Sequence, residues 1–244
     1  MRSIPIKVSL DSIKASCGSC SLHELCLPMG LSQEDTELLD QTVNKRRKLA
    51  RGEHLYRVGD PFQALYAVRS GFFKTLHLGG NGREKIVGFY MPGEVLGMDA
   101  ISIDRHQYST MALEDSIVCD IPFAELEHLI GVIPSLQYHF HRLMSGDINA
   151  GKRHMLLLDN TRAEERLAGF LLSLSQRFAA RGYSPTQFNL RMTREEIGNY
   201  LGLTIETISR LFSRLQKEGL VNVQNREVKI NDLVKLRGMV GHCD

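Results

Sequence analysis

The chain has 244 residues, 43% of them hydrophobic and 24% charged, with a formal net charge of +2. This is globular composition, long enough for two domains with separate cores, and no apolar run approaches the ~20 residues of a membrane span. Charge is placed unevenly: residues 160–244 hold 13 Lys and Arg against 9 Asp and Glu, and the rest holds 17 against 19. The basic excess falls on the C-terminal third, where phosphate contacts would use it.

The N-terminus, MRSIPIKVSLDSIKASCGSC, has no long apolar core, so it is not a secretory signal and the cytosol is the expected compartment. In a reducing compartment the five cysteines read as ligands, reactive thiols or core residues rather than disulfides. Cys17-x-x-Cys20-x5-Cys26 falls among Gly18, Ser19, Ser21 and Pro28, in loop sequence able to wrap several thiolates around one centre. Three thiolates leave a site open. Cys119 is the candidate fourth ligand, Cys243 its rival, and His23 could substitute. The spacing suits an iron–sulfur cluster or structural zinc and does not choose between them. A third reading is a redox dithiol enzyme using Cys17 and Cys20. Residues 1–30 are taken as this ligand segment.

Ser32 caps a short expected helix to Val43, and the basic run Lys45–Lys48 leads into strand-like sequence. Residues 31–132 then alternate short apolar runs, such as Ala64–Val68 and Ser116–Ile121, with turn signals at Gly52, Gly59-Asp60-Pro61, Gly71, Gly79–Gly82 and Pro92-Gly93. Short strands with regular Gly and Pro turns predict an antiparallel sandwich or barrel with a hairpin tip at Gly79–Arg83.

Pro134 opens a long helix, and residues 133–159 form the third segment. Leu136, Phe140, Leu143, Met144, Ile148, Gly151, Met155 and Leu158 recur at close to 3.5 residues, the period of a helix that pairs with its twin. Gly146, Gly151 and the Lys152-Arg153-His154 cluster weaken the middle of that seam.

Residues 160–244 read as a winged helix-turn-helix. Asn160 or Thr161 begins a helix over Arg162–Ala180, and Phe188–Leu190 is a short strand. Thr193 and Glu196 have capping-box spacing before a helix that Gly202 stops. Thr204 caps a second helix with Ile205, Ile208, Leu211, Phe212 and Leu215 inward. Glu206, Ser209 and Arg210 share an outward face near its N-terminus, where a recognition helix meets base edges. A hairpin around Gln224–Arg226 forms the wing, and a last helix from Asp232 is expected to cover its edge. No nucleophile–base–orienter set for hydrolysis is apparent, so the chain reads as a regulator, not an enzyme.

A Gly-rich β-roll, a long helix and a winged helix-turn-helix resemble the cyclic-AMP receptor superfamily of bacterial regulators over nearly the whole chain. The fold implied is α+β: an N-terminal antiparallel β-roll, a dimerisation helix and a C-terminal DNA-binding domain. In nucleotide-binding members a Gly-Glu starts the phosphate cassette and an Arg before Ser or Thr clamps the phosphate. Gly93-Glu94 is present here, but Tyr108 precedes Ser109 and Arg105 is displaced by three residues, so no cyclic nucleotide is expected. The cysteines and Glu206-x-x-Ser209-Arg210 instead resemble the FNR branch, which comprises anaerobic regulators. That likeness implies a [4Fe–4S] cluster on Cys17, Cys20, Cys26 and Cys119, with Cys243 a free thiol. It also implies a cluster-dependent homodimer on double-stranded DNA at a TTGAT inverted repeat. Contact with RNA polymerase is implied through Leu78–Glu84 and surfaces near Ser70, Asp115 and Arg181.

Overall fold

The computed structural model describes residues 16–43, 45–80, 82–159 and 162–240. Asn160, Thr161 and Cys243 lie outside them. After the cysteine loop comes α1 (Gln33–Thr42), whose N-cap Ser32 accepts the Asp35 N–H. Eight strands follow: β1 (Lys45–Leu49), β2 (His54–Tyr56), β3 (Ala64–Ser70), β4 (Phe73–Leu78), β5 (Glu84–Tyr90), β6 (Val95–Leu96), β7 (Ser109–Ala112) and β8 (Ser116–Pro122). They form two four-stranded antiparallel sheets, β1-β8-β3-β6 and β2-β7-β4-β5. Tyr56, Tyr66, Val68, Phe73 and Val118 pack between them, so the roll is a sandwich with its own core.

The helix α2 (Phe123–Val132) leads into α3 (Pro134–Leu158), with Pro134 at its start. Leu136, His139 and Phe140, at i, i+3 and i+4, bury one face of the first turns of α3. Leu136 and Phe140 pack with Leu65, Ile121, Leu126 and Leu129 of the β-roll part (residues 31–132, expected to be the sensor), and Leu143 and Met144 lie against the same cluster. Leu136 and Phe140, expected in the dimer seam, are therefore spent on their own chain, at 0% and 6% exposure. Further along, Ile148 and Met155 are 56% and 64% exposed, with Leu156 beside them. A 3.5-residue period records apolar faces without recording which neighbour each face meets.

The C-terminal part (residues 160–244, expected to be the DNA reader) has as its first helix α4 (Ala163–Ala180), whose N-cap is Arg162; the Arg162 N–H is satisfied by the Glu165 carboxylate. Next come β9 (Gln187–Asn189), α5 (Arg194–Leu201), α6 (Ile205–Lys217), the wing strands β10 (Val221–Gln224) and β11 (Glu227–Ile230), and α7 (Leu233–Gly238). The wing pairs β10-β11-β9. The last helix, expected over the wing edge, packs Leu236 and its neighbours against α4. The reader is not a separate ball. Phe72, Leu76, Ile86, Phe89, Met91 and Leu113 of the sensor share one hydrophobic core with Leu167, Phe170, Leu171, Ile197, Leu201 and Phe212 of the reader.

Polar contacts reinforce that joint. β5 is an edge strand, and the Asn199 carboxamide occupies its edge: Oδ1 accepts the Ile86 N–H at 2.7 Å and Nδ2 donates to the Glu84 carbonyl at 2.9 Å. The Lys85 ammonium donates to the Asn199 carbonyl, and Lys74 pairs with Glu196 at 2.8 Å. Among the described residues no helix is long and apolar enough to cross a membrane.

Candidate cofactor pocket and DNA-reading face

Local turns shape the cysteine loop. Cys20 N–H donates to the Cys17 carbonyl, His23 N–H to Cys20 and Leu25 N–H to Leu22, the last closing a 3-10 turn over His23–Leu25. The Asp40 carboxylate of α1 fastens the near end by accepting the Cys17 N–H, and Ser16 Oγ reaches its other oxygen at 3.3 Å. The loop then lies on the sensor. Gly93, at φ +91°, faces Leu25 so closely that a Cβ there would stand 2.9 Å from the Leu25 Cβ. This Gly therefore serves both a turn that favours glycine and a close approach of the cysteine loop.

The consequence is a pocket lined by all four of Cys17, Cys20, Cys26 and Cys119, together with His23, Leu27, Leu39, Val43, Ala67, Arg69 and Ile121. Cys119 reaches it from β8. The ligand set expected from the sequence is thus gathered at one place although Cys119 is 93 residues beyond Cys26. Cys243 is outside the described residues. The thiols surround a pocket: among the described residues no three His, Cys, Asp or Glu side chains converge on a single-ion position.

Burial pushes the Cys26 thiol up to about 12. Burial, then the neighbouring Asp40 carboxylate, raises Cys17 strongly. Burial also raises Cys119, against the pull of Arg69 and Arg46. Left alone these thiols stay protonated; a bound metal centre deprotonates such ligands. Two guanidinium groups stand ready to offset the resulting negative charge. Arg69 Nη1 lies 3.5 Å from Cys20 Sγ. Arg46 is directly opposite Cys119 in the β1–β8 register, and its buried Nε has no hydrogen-bond partner. An all-thiolate donor set around an apolar pocket with cationic neighbours fits a [4Fe–4S] cluster. Sequence spacing pointed to the cysteines but not to Asp40, Arg46 or Arg69, which only strand register and helix packing bring to them.

The nucleotide-cassette residues are engaged elsewhere. Glu94 accepts from Arg177 at 2.6 Å and from Arg181 at 2.7 Å, both on or beside the end of α4, and from the Met91 N–H. Arg105 donates to the Gly59 carbonyl. The Arg181 side chain, expected on a polymerase-facing surface, is only 6% exposed because Glu94 and the Pro92 carbonyl draw it inward. Leu78 is exposed, and Asp115 is exposed while accepting the Arg51 N–H.

On the reader, Thr193 Oγ1 accepts the Glu196 N–H and Glu196 accepts the Thr193 N–H, a complete capping box. Gly202 ends α5 at φ +66°. Thr204 Oγ1 accepts the Thr207 N–H and starts α6. Ile208, Leu211, Phe212 and Leu215 are buried, as the sequence pattern required. Ile205 is not: it is 45% exposed at the first helical position, where the inward face has not yet reached the core. Glu206 and Arg210 are exposed and Ser209 partly so. Its own backbone N–H, then Thr204, hold the Glu206 carboxyl below the usual range, so it is an ionised acceptor. Arg210 is steadied by Thr207 Oγ1 at 3.3 Å. Acceptor and donor thus project together from the helix end that enters a major groove.

A winged helix-turn-helix that presents such a face defines a DNA-binding regulator. Residues 165–239 match the Crp-like helix-turn-helix domain, and residues 46–131 match the cyclic nucleotide-binding domain. The chain is 46% identical to the transcriptional regulatory protein btr of Bordetella pertussis, over 96% of this chain and 97% of that one. It is 46% identical to the transcriptional activator protein anr of Pseudomonas aeruginosa, over 93% of each. It is 43% identical to the fumarate and nitrate reduction regulatory protein of Escherichia coli, over 93% of this chain and 90% of that one. The structure of FixK2 from Bradyrhizobium japonicum superposes with a TM-score of 0.74 at 28% identity, covering 80% of this chain and 96% of that one. The chain belongs to the Crp–Fnr family of transcriptional regulators.

Proposed function

We propose that this regulator senses oxygen: Cys17, Cys20, Cys26 and Cys119 hold a [4Fe–4S] cluster, and the loaded chain dimerises and binds a TTGAT inverted repeat. The observation that carries the proposal is the pocket lined by all four cysteines. The relatives that regulate fumarate and nitrate reduction point the same way. When bound, such a cluster supplies iron–thiolate bonds that tie the loop to β8 and a reactivity toward dioxygen that releases them.

The residues of the chain do the rest. Asp40 fixes the loop at Cys17, and Gly93 lets Leu25 settle on the sensor. Arg69 and Arg46 balance thiolate charge. The exposed row Ile148, Gly151, Met155, with Leu158 at its end, pairs with a second copy, and Leu143 and Met144 sit at the border between core and seam. Two copies of Glu206, Ser209 and Arg210 then read the two half-sites, each good base contact contributing ~1–3 kcal/mol of discrimination. The exposed hairpin at Leu78 is the surface for RNA polymerase.

The test is anaerobic reconstitution with ferrous iron and sulfide, followed by air. The expected result is about four iron and four sulfide per chain, a brown chromophore that air bleaches, and a mobility shift on the TTGAT repeat that bleaching abolishes. A colourless protein that keeps a metal in air would establish the zinc reading instead.

A further inference from the structure

The second cysteine-loop contact runs not to the sensor but to the helix that pairs. His139 Nε2 lies 3.0 Å from the Cys26 carbonyl oxygen. His139 is only 7% exposed, between Leu136 and Phe140 on the buried face of α3. The same carbonyl accepts the Met29 N–H at 3.1 Å, so it closes a loop turn and meets the helix at once. Cys17, Cys26 and Cys119 pack against the same apolar cluster as Leu136, Phe140, Leu143 and Met144. One residue therefore turns its thiol to the pocket and its carbonyl to α3.

We propose that His139 is the positioning residue through which the cysteine loop sets the rotation of α3, and thereby the pairing of its exposed half. The proposal rests on the cluster reading above and names its route. A contact couples two sites only if its population differs between their states. With the thiols held together, the loop stays closed and the Nε2–H donates to Cys26. With the thiols released, the loop is free to lift and the bond is lost. The bond sits on the same helical face as Leu143, one turn on, which is where α3 passes from core to open seam. Fixing the ring there fixes the direction in which Ile148 and Met155 project. Leucine at 139 fills the space but donates nothing. Glutamine retains an N–H donor of similar reach.

The experiment compares full-length wild type, H139L and H139Q. Iron and sulfide per chain and the dimer dissociation constant are measured for the loaded and metal-free forms, the latter by sedimentation. All three are expected to load equally. The loaded H139L dimer should be about fivefold to tenfold weaker, the effect of one buried hydrogen bond; H139Q should recover most of the loss, and the metal-free forms should not differ. Loaded H139L that dimerises like wild type overturns the proposal. So does equal weakening of both forms, which would make His139 a support of the helix alone, or loss of iron from H139L, which would make it a support of the loop alone. Nitrogen-15 spectra of loaded wild type should show the Nε2-protonated tautomer at His139, and an Nδ1-protonated ring in that form also overturns it. If wild type takes up no iron and sulfide, the cluster reading itself falls, and the proposal with it.

Discussion

At Glu94 a half-buried carboxylate sits between two guanidinium groups, and its titration reports on the joint between sensor and reader. Burial favours the neutral acid, but Arg177 foremost, with Arg181 and the Met91 N–H, holds the group below its ordinary value of 4.5. A depressed folded-state value means stabilisation that is complete above 4.5 and lost as pH falls from there through the folded value. Glu94→Gln should lower stability at pH 7 by roughly 1–3 kcal/mol. Calorimetry across the acid limb should show a shallower decline for the variant than for wild type. A second residue, Arg69, bears on the pocket. Hydrogen bonds and positive charge at a ligand sulfur raise a cluster's reduction potential. In loaded protein Arg69→Met should lower that potential, by roughly 60 mV for each tenfold of differential stabilisation lost, and hasten bleaching in air. Protein-film voltammetry and a stopped-flow trace read the two effects. Neither arginine–partner contact was visible in the sequence: Glu94 and Arg177 are separated by 83 positions, and no local pattern links them.

Helices and turns show which parts of a fold are written locally. The capping box at Thr193, the stop at Gly202 and the inward stripe of α6 from Ile208 to Leu215 were legible because each depends on neighbours within a turn or two. The division of α3 was not. Its period announced apolar residues from Leu136 to Leu158, but whether each meets its own sensor or a second copy is decided by α2 and the cysteine loop. The close packing within the helix-turn-helix was equally hidden. A Cβ at Gly198 would stand 2.7 Å from the Leu203 carbonyl oxygen, where backbone cannot yield cheaply. Gly198→Ala should therefore destabilise the reader by about 1–3 kcal/mol and spread α5 from the turn. Denaturant titration, with operator affinity measured on the folded fraction, would expose both effects.

Across the whole molecule, the order of parts followed from turn spacing and helix period, while the grouping of Cys119 with Cys17, Cys20 and Cys26 was implied only by the family resemblance, since spacing left Cys243 and His23 open. The placement of reader upon sensor followed from neither, since it rests on side chains such as Phe89 and Tyr200 whose rings meet at 5.1 Å across the joint. Because one hydrophobic cluster spans both parts, the metal-free chain is expected to melt in a single calorimetric transition, and Asn199→Leu should split it in two. That same substitution has a consequence for solubility. Asn199 supplies β5 with the hydrogen bonds that a neighbouring strand would otherwise make. Take it away, and the Ile86 N–H and Glu84 carbonyl become an open template of the kind along which sheets polymerise. The residue that docks a DNA-reading helix thus also serves as a colloidal safeguard, and Asn199→Leu should form strand-paired oligomers on storage, visible by light scattering, where wild type stays dispersed.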